Sequence, residues 1–136
     1  MRQRIVPLLA LVFGVLLSVA PALAHHAFAT EFDYKKPVTK RGYITKLEWT
    51  NPHVWFYINV KDDAGKTENW GFEMGGPGAL RREEWTKETF KLGEEVIIDG
   101  SLARDGSKRA NARTVTMVRT GQKFGAASSE NTTPNP

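Results

Sequence analysis

Apolar and polar positions alternate along the stretch Thr50 to Val60, and this alternation is the clearest structural signal in the chain. An Asn-Pro pair, which is a turn signal, opens the stretch. A period of two is typical of a β-strand with two different faces. One face is predicted to pack in the core. The other carries large rings, so we expect protein or a ligand to shield it from water. The two faces carry Val54, Phe56, Ile58, Val60 and His53, Trp55, Tyr57, Asn59.

Four other segments show the same alternation, so the sequence predicts five strands. Gly42 and Gly100 fall inside the first and fourth strands, where a glycine indicates a bulge or a bend that lets a small sheet curl. Between the third and fourth strands, the composition around Ala79 to Trp85 predicts one or two turns of helix. The four segments are Val38 to Trp49, Thr67 to Met74, Glu95 to Ala103 and Arg109 to Val118.

Three strands, a short helical insertion and two further strands predict an all-β fold, a small OB-fold-like β-barrel. A small open sandwich or a five-stranded meander would fit the same order of elements. In an OB barrel the second and third strands form the ligand surface. We therefore predict ligand contacts at Trp55, Tyr57 and Trp70, although large rings also fill the interior of small barrels and Trp70 fits a core position as well.

The two ends of the chain differ in composition from the predicted barrel. Arg2 and Arg4 precede an apolar run, and Ala22-Leu23-Ala24 is a small-x-small site, which together predict a Sec-type signal peptide. The apolar run is shorter than the ~20 residues of a spanning helix. The predicted organisation is a signal peptide over 1–24, a lead-in over 25–37, the barrel over 38–120 and a disordered tail over 121–136. The mature protein is expected to be periplasmic or secreted, without membrane contact.

Charge and cysteine content narrow the classes of partner. The chain contains no cysteine, so the mature domain must rely on its core without disulfides. Cleavage after Ala24 would remove two arginines and lower the net charge from +4 to +2, with 17 basic against 15 acidic residues. Basic and acidic residues are interleaved, whereas nucleic-acid binders concentrate basic charge on one face. The sequence therefore predicts no nucleic-acid partner.

Several longer motifs resemble a known family. They are HHAFATEFD, EWTNPHVW, ENWGFEMGGPGALRREEWT, LGEEVIIDG and DGSKRANAR. Together they resemble a group of exported bacterial proteins that is catalogued only as a domain of unknown function. The resemblance extends from His25 to Met117, and it implies no catalytic or binding residue.

The three histidines of the chain, His25, His26 and His53, are candidate metal ligands. Cleavage after Ala24 would give His25 a free α-amine, and amine and imidazole nitrogens are ligands that favour Cu(II) or Ni(II) over calcium and magnesium. The alternatives are an exposed histidine pair at the terminus and a His53 that caps the turn or stacks on Trp55.

These observations predict an exported, non-enzymatic binding module for a small molecule, a glycan or a protein segment. No catalytic motif is found, since cysteine is absent and G-x-S-x-G does not occur. The alternative prediction is a periplasmic metal-binding protein that uses His25, His26 and His53, with copper as the candidate cofactor.

Overall fold

The computed structural model describes residues 28–132 of the 136-residue chain. The predicted signal peptide lies outside these residues. Residues 28–31 are helical, and a 3-10 turn, Ser129–Thr132, ends the described part. Between them lie one short helix, α1 (Pro77–Arg82), and six strands. The strands are β1 (Phe32–Glu48), β2 (Trp55–Lys61), β3 (Thr67–Glu73), β4 (Glu95–Ala103), β5 (Arg109–Met117) and β6 (Lys123–Gly125).

The strands form one sheet that closes into a ring. Their order is β3-β2-β1-β4-β5-β6, with antiparallel neighbours. A short parallel pairing between β3 and β5 closes the ring, with Gly71 opposite Arg109 and Glu73 opposite Asn111. This closure is the OB arrangement. The predicted all-β, OB-like barrel is therefore confirmed, with α1 between β3 and β4, whereas an open sandwich or a simple meander would lack the parallel pairing.

Two glycines allow the strands to cross closely enough for the ring to close. A Cβ on Gly42 would lie 2.2 Å from the backbone oxygen of Asn59, and one on Gly100 would lie 2.1 Å from that of Asn111. The β4–β5 register shifts between Asp99 and Gly100, as expected at a β-bulge. Both glycines predicted to bend strands therefore lie where a side chain has no room.

The first strand begins earlier than the sequence predicts. β1 starts at Phe32, inside the predicted lead-in, and Pro37 lies within the strand. The pairing with β4 is irregular between Asp33 and Pro37, which is how a strand accommodates a residue without a backbone N–H. Phe32 is almost fully buried, so a core residue fixes this early start.

The prediction of a disordered tail over 121–136 is wrong as far as residue 132. β6 pairs with β5 and brings the buried Phe124 against two other rings. The Phe124 ring centroid lies 5.5 Å from that of Trp85 and 5.3 Å from that of Phe90. Small and polar residues dominate the tail, so its composition predicts disorder although the single ring of Phe124 anchors it to the core. Residues 133–136 lie outside the described part.

Apolar side chains from all of the long strands fill the barrel, and α1 with the loop after it closes one end. Leu80 of α1 is fully buried, and Trp85 follows it into the core. The ring centroid of Trp85 lies 5.6 Å from that of Phe56 and 5.1 Å from that of Phe90. The aromatic residues of the α1 region therefore connect the loop to β2.

Candidate functional site

The outer side of β2 carries two partly exposed rings, Trp55 and Tyr57. The Trp55 and Tyr57 ring centroids are 6.2 Å apart at an interplanar angle of 22°. Gly71 lies beside Tyr57 on β3, and a Cβ there would lie 3.2 Å from Tyr57 Cε1. The absence of a side chain at Gly71 therefore leaves room for both rings to lie against the sheet.

Strand pairing places two cations over these rings. Lys46 of β1 pairs with Tyr57, and its Nζ lies 5.3 Å from the centroid of that ring. Arg109 of β5 pairs with Gly71, and its guanidinium carbon lies 4.8 Å from the Trp55 centroid. Both distances are within the range of cation–π attraction. Residues from β1, β2, β3 and β5 therefore form one row across the outer surface.

The two cations differ in their other partners. Lys46 forms an ion pair with Glu48, and the Tyr57 hydroxyl donates to Glu48 Oε2 at 3.4 Å. Partial burial, together with the neighbouring Glu48 carboxylate, raises the pKa of Tyr57. Arg109 forms no salt bridge with any residue of the range 28–132. The contact of its guanidinium on this surface is the Trp55 ring.

A second row of paired residues crosses the sheet two residues further along each strand, and it contains the buried carboxylate of Glu73. Glu73 of β3 pairs with Trp55 on one side and with Asn111 on the other. Asn111 Nδ2 donates to Glu73 Oε1 at 3.3 Å, and His53 Nδ1 lies 3.7 Å from the same oxygen. Burial raises the pKa of Glu73, and the charge of Glu31 adds to this effect while His53 opposes it.

The N-terminal part of the described chain lies against Trp55. Phe28 and Phe32 have ring centroids 5.7 Å apart and form a small cluster with Ala103, against which Trp55 packs. Arg104 secures the segment, since its Nε donates to the Ala29 carbonyl at 2.7 Å. Trp55 is therefore partly covered by this segment, and Tyr57 keeps part of its surface open.

A cavity of about 340 Å³ lies between this segment and the turn that joins β4 to β5. Arg104 and Arg109 contribute positive charge to its lining, and Glu31 and Asp105 contribute negative charge. Arg104 lies 3.6 Å from an oxygen of Asp33. The Arg109 guanidinium, which forms no salt bridge within residues 28–132, therefore belongs both to the ring surface and to this cavity.

A larger groove of about 790 Å³ has exposed apolar residues at its surface. Tyr43 and Leu92 lie in its lining and are exposed. Its two carboxylates have partners, since Glu94 is 3.5 Å from Arg119 and Glu95 is 2.8 Å from Arg41, and Lys91 also lies in the lining. The smaller cavity differs in that one of its cations, Arg109, lies over an aromatic ring.

The structure separates the sequence-predicted ligand residues into two places. Trp55 and Tyr57 stack on the outer side of β2, whereas Trp70, also predicted as a ligand contact, is buried with the core residues. His53, a predicted metal ligand, lies near Glu73. The Trp70 indole N–H faces Glu68 Oε2 at 3.4 Å, and Lys40 lies 4.4 Å from its ring. The predicted metal ligands His25 and His26 lie outside the described residues.

Sequence reasoning did not assign a binding role to the two charged residues that define the site, Glu73 and Arg109. Glu73 could have been found from the β2–β3 hairpin, because alternation from the turn places it opposite Trp55. Arg109 reaches Trp55 only through the parallel closure, which no local pattern indicates. Gly75 and Gly76 approach other backbone atoms closely, at Ala127 and Pro52, so protein fills the space at this glycine-rich loop.

Two further properties concern the described residues 28–132. No helix there is long and apolar enough to cross a membrane. Within the same range, no group of three or more His, Cys, Asp or Glu side chains is arranged to hold a metal ion.

The fold and surface define the chain as a small OB-type barrel domain with a charged and aromatic outer face. The chain belongs to a family of unknown function, DUF6152, whose match covers residues 14–112. No curated protein matches the chain. The family resemblance read from the motifs is therefore confirmed.

Among solved structures, the chain is similar to the mitochondrial single-stranded DNA-binding protein Rim1 of S. cerevisiae. The identity is 14% and the TM-score is 0.47, and the match covers 61% of this chain and 94% of that chain. This finding contradicts the sequence-based prediction that excluded a nucleic-acid partner, so that exclusion is not retained. The order of charges along a chain does not report their arrangement in space, since Lys46 and Arg109 lie far apart in sequence and share one row.

Proposed function

We propose that this chain is an exported, non-enzymatic binding module for a small carboxylate-bearing molecule. The observation that carries the proposal is the Arg109 guanidinium, which is stacked on Trp55, forms no salt bridge with residues 28–132 and opens onto the 340 Å³ cavity. Trp55 and Tyr57 supply the apolar contact, and Arg109 supplies the charge.

The chemistry of arginine supports an anionic ligand. A guanidinium has five donors in a planar fork that matches a carboxylate, and bidentate pairs are the strongest hydrogen-bonded ion pairs of this kind. Stacking on an indole restricts the fork before the ligand arrives, which lowers the entropy cost of binding. Arg109 is therefore prepared to receive a carboxylate without reorganising.

The cavity size supports a small ligand. Pockets for small molecules have volumes of about 300–1,000 Å³ and combine apolar walls with a few polar groups. The cavity here lies at the lower end of that range, with Phe32 and Ala103 as apolar lining. A single ring that bears a carboxylate fits this volume and could lie against the exposed part of the Trp55–Tyr57 surface.

The binding test uses benzoate as the probe and benzamide as its uncharged match. In ¹⁵N–¹H spectra, benzoate should shift the Gly71 and Arg109 signals in a saturable way, and benzamide should not. Arg109→Ala should weaken benzoate binding at least about tenfold, since it removes a charged hydrogen-bond pair. Arg109→Lys should also lose most of the affinity, because an ammonium cannot form the planar fork.

Lys46→Ala is the matched control, since it removes a ring-stacked cation that already has Glu48 as its partner. This variant should bind benzoate nearly as well as the wild type. Equal binding of benzamide and benzoate would contradict the proposal, as would unchanged benzoate affinity in Arg109→Ala.

Export is a separate part of the proposal and rests on the sequence of residues 1–24. Expression of the full chain in a Gram-negative host should give a periplasmic product whose intact mass corresponds to loss of these residues. A full-length product that stays in the cytoplasm would contradict this part and would leave the binding site untouched.

A further inference from the structure

The cavity beside Arg109 carries charges of both signs. Arg104 and Arg109 line it together with Glu31 and Asp105. The charge of Arg104 faces Asp33 at 3.6 Å. Within residues 28–132, neither Arg109 nor Glu31 forms a salt bridge. A guanidinium and a carboxylate therefore line one small cavity without pairing with each other.

The backbone that carries Glu31 is fixed to the opposite wall of this cavity. The Arg104 backbone N–H donates to the Glu31 carbonyl at 2.8 Å, and the next residue, Phe32, pairs with Ala103 of β4. The side chain of Arg104 also donates to the Ala29 carbonyl at 2.7 Å. None of these contacts uses the Glu31 carboxylate, so the segment keeps its place whether or not that group binds a ligand.

The charge of Glu31 also acts on the barrel surface next to Arg109. Burial is the main cause of the raised pKa of Glu73, and His53 opposes it. The charge of Glu31 raises that pKa further, and the charge of Arg109 lowers it. Because such effects are strong only over short distances in partly screened surroundings, the negative charge of Glu31 and the positive charge of Arg109 belong to one small region.

We propose that the ligand of this cavity is zwitterionic, a free aromatic α-amino acid whose carboxylate binds Arg109 and whose ammonium group binds Glu31. This inference rests on the carboxylate-binding function proposed above and adds the second charged group of the ligand. A ligand with a carboxylate alone would bring a like charge close to Glu31, which disfavours it. The ring of the amino acid lies against the Trp55–Tyr57 surface. Glu31 is therefore the residue that determines the class of ligand.

The test compares L-phenylalanine with 3-phenylpropionate, which differs from it only by the missing ammonium group. Isothermal titration calorimetry measures both affinities on protein produced from the full chain. The wild type should bind L-phenylalanine about threefold to tenfold more tightly, as expected for one added charged pair at a partly exposed site. Glu31→Gln should remove this difference, because the ammonium group then has no carboxylate to bind. Arg109→Ala should weaken both ligands, since both carry the carboxylate.

Asp105→Asn is the matched control, because Asp105 lines the same cavity but already accepts the Ser107 backbone N–H at 2.9 Å. In this variant the ratio of the two affinities should stay near the wild-type ratio. Glu31 is exposed, so its replacement should leave the fold intact, which circular dichroism verifies.

Two results would overturn this inference alone. They are equal affinities of the wild type for L-phenylalanine and 3-phenylpropionate, and a preference for L-phenylalanine that persists in Glu31→Gln. In both cases, binding of 3-phenylpropionate would still support the carboxylate site at Arg109. If neither compound binds, the carboxylate-binding function fails and this inference fails with it.

Discussion

The two sides of β2 are built by different kinds of interaction, although they alternate residue by residue. On the inner side, the buried Phe56 packs against the rings of Trp85 and Phe90. On the outer side, Trp55 and Tyr57 each lie under a cation. Burial of apolar area is non-directional and depends on residue type, whereas cation–π and charged pairs depend on position. The inner side is therefore specified locally, and the outer side needs partners from several strands.

Removing an inner ring should have the largest effect on stability. Trp85→Ala leaves a cavity among Phe56, Phe90 and Phe124, so we expect a loss of about 3–5 kcal/mol in the free energy of unfolding. Trp55→Ala is the matched outer replacement and should cost clearly less, because Trp55 is only partly buried. Urea unfolding followed by circular dichroism measures both. Equal losses would show that the two sides do not differ as described.

Removing the buried hydrogen bonds of Asn111 on the outer side should have the next largest effect on the free energy of unfolding. Asn111→Ala removes the partner of both Glu73 and Ser128, and leaving buried polar groups unpaired costs about 1–3 kcal/mol. Asn69→Ala provides the control, since Asn69 also bonds across strands but lies in an exposed position. The control should lose less than about 1 kcal/mol in the same unfolding experiment.

The pH dependence of stability should distinguish two carboxylates of the outer side. Burial raises the pKa of Glu73, so the unfolded state loses its proton first and stability falls as pH rises through the folded-state pKa. Lys46 lowers the pKa of Glu48, so the stability from that pair is lost as pH falls. Glu73→Gln should remove the fall above the ordinary carboxyl value of 4.5, and Glu48→Gln should not. A fall that persists in Glu73→Gln would contradict this assignment.

The smallest effect is expected at the Tyr57 hydroxyl. Tyr57→Phe removes the 3.4 Å contact with Glu48 but keeps the ring against Gly71. Its free energy of unfolding should stay within about 0.5 kcal/mol of the wild type. Benzoate affinity should also be retained, because the proposed contact uses the ring. A large loss of either would mean that the hydroxyl has a role beyond the pair seen here.

The strands and the inner side of β2 could be predicted because they depend on periodicity and on glycines within strands. Gly42 and Gly100 are required by backbone approaches that a strand bend creates, so their position alone indicated curvature. The early start of β1 and the ordered tail could not be read in the same way. Each depends on one buried ring, Phe32 or Phe124, in a segment that otherwise has no regular pattern.

The outer site was only half predictable for a related reason. Trp55 and Tyr57 lie within one strand, and their shared face follows from the alternation. Arg109 comes from a strand that reaches them only through the closed ring, and Glu73 becomes buried only when chain segments distant in sequence cover it. A single sequence shows which residues of a strand share a face, but it does not show which strand from a distant part of the chain will lie beside that face.

The parallel pairing of β3 with β5 also determines where the barrel can open. It spans only residues 71–73 and 109–111, whereas β1 and β4 pair along most of their length. Amide hydrogens at so short a contact should exchange with solvent through local opening, well before the whole domain unfolds. Arg109 lies directly on this contact, so a carboxylate bound to it would hold the two strands together. Ligand-induced slowing of hydrogen exchange at Gly71, whose N–H donates to the Lys108 carbonyl at 3.0 Å, would thus report occupancy of the proposed carboxylate site.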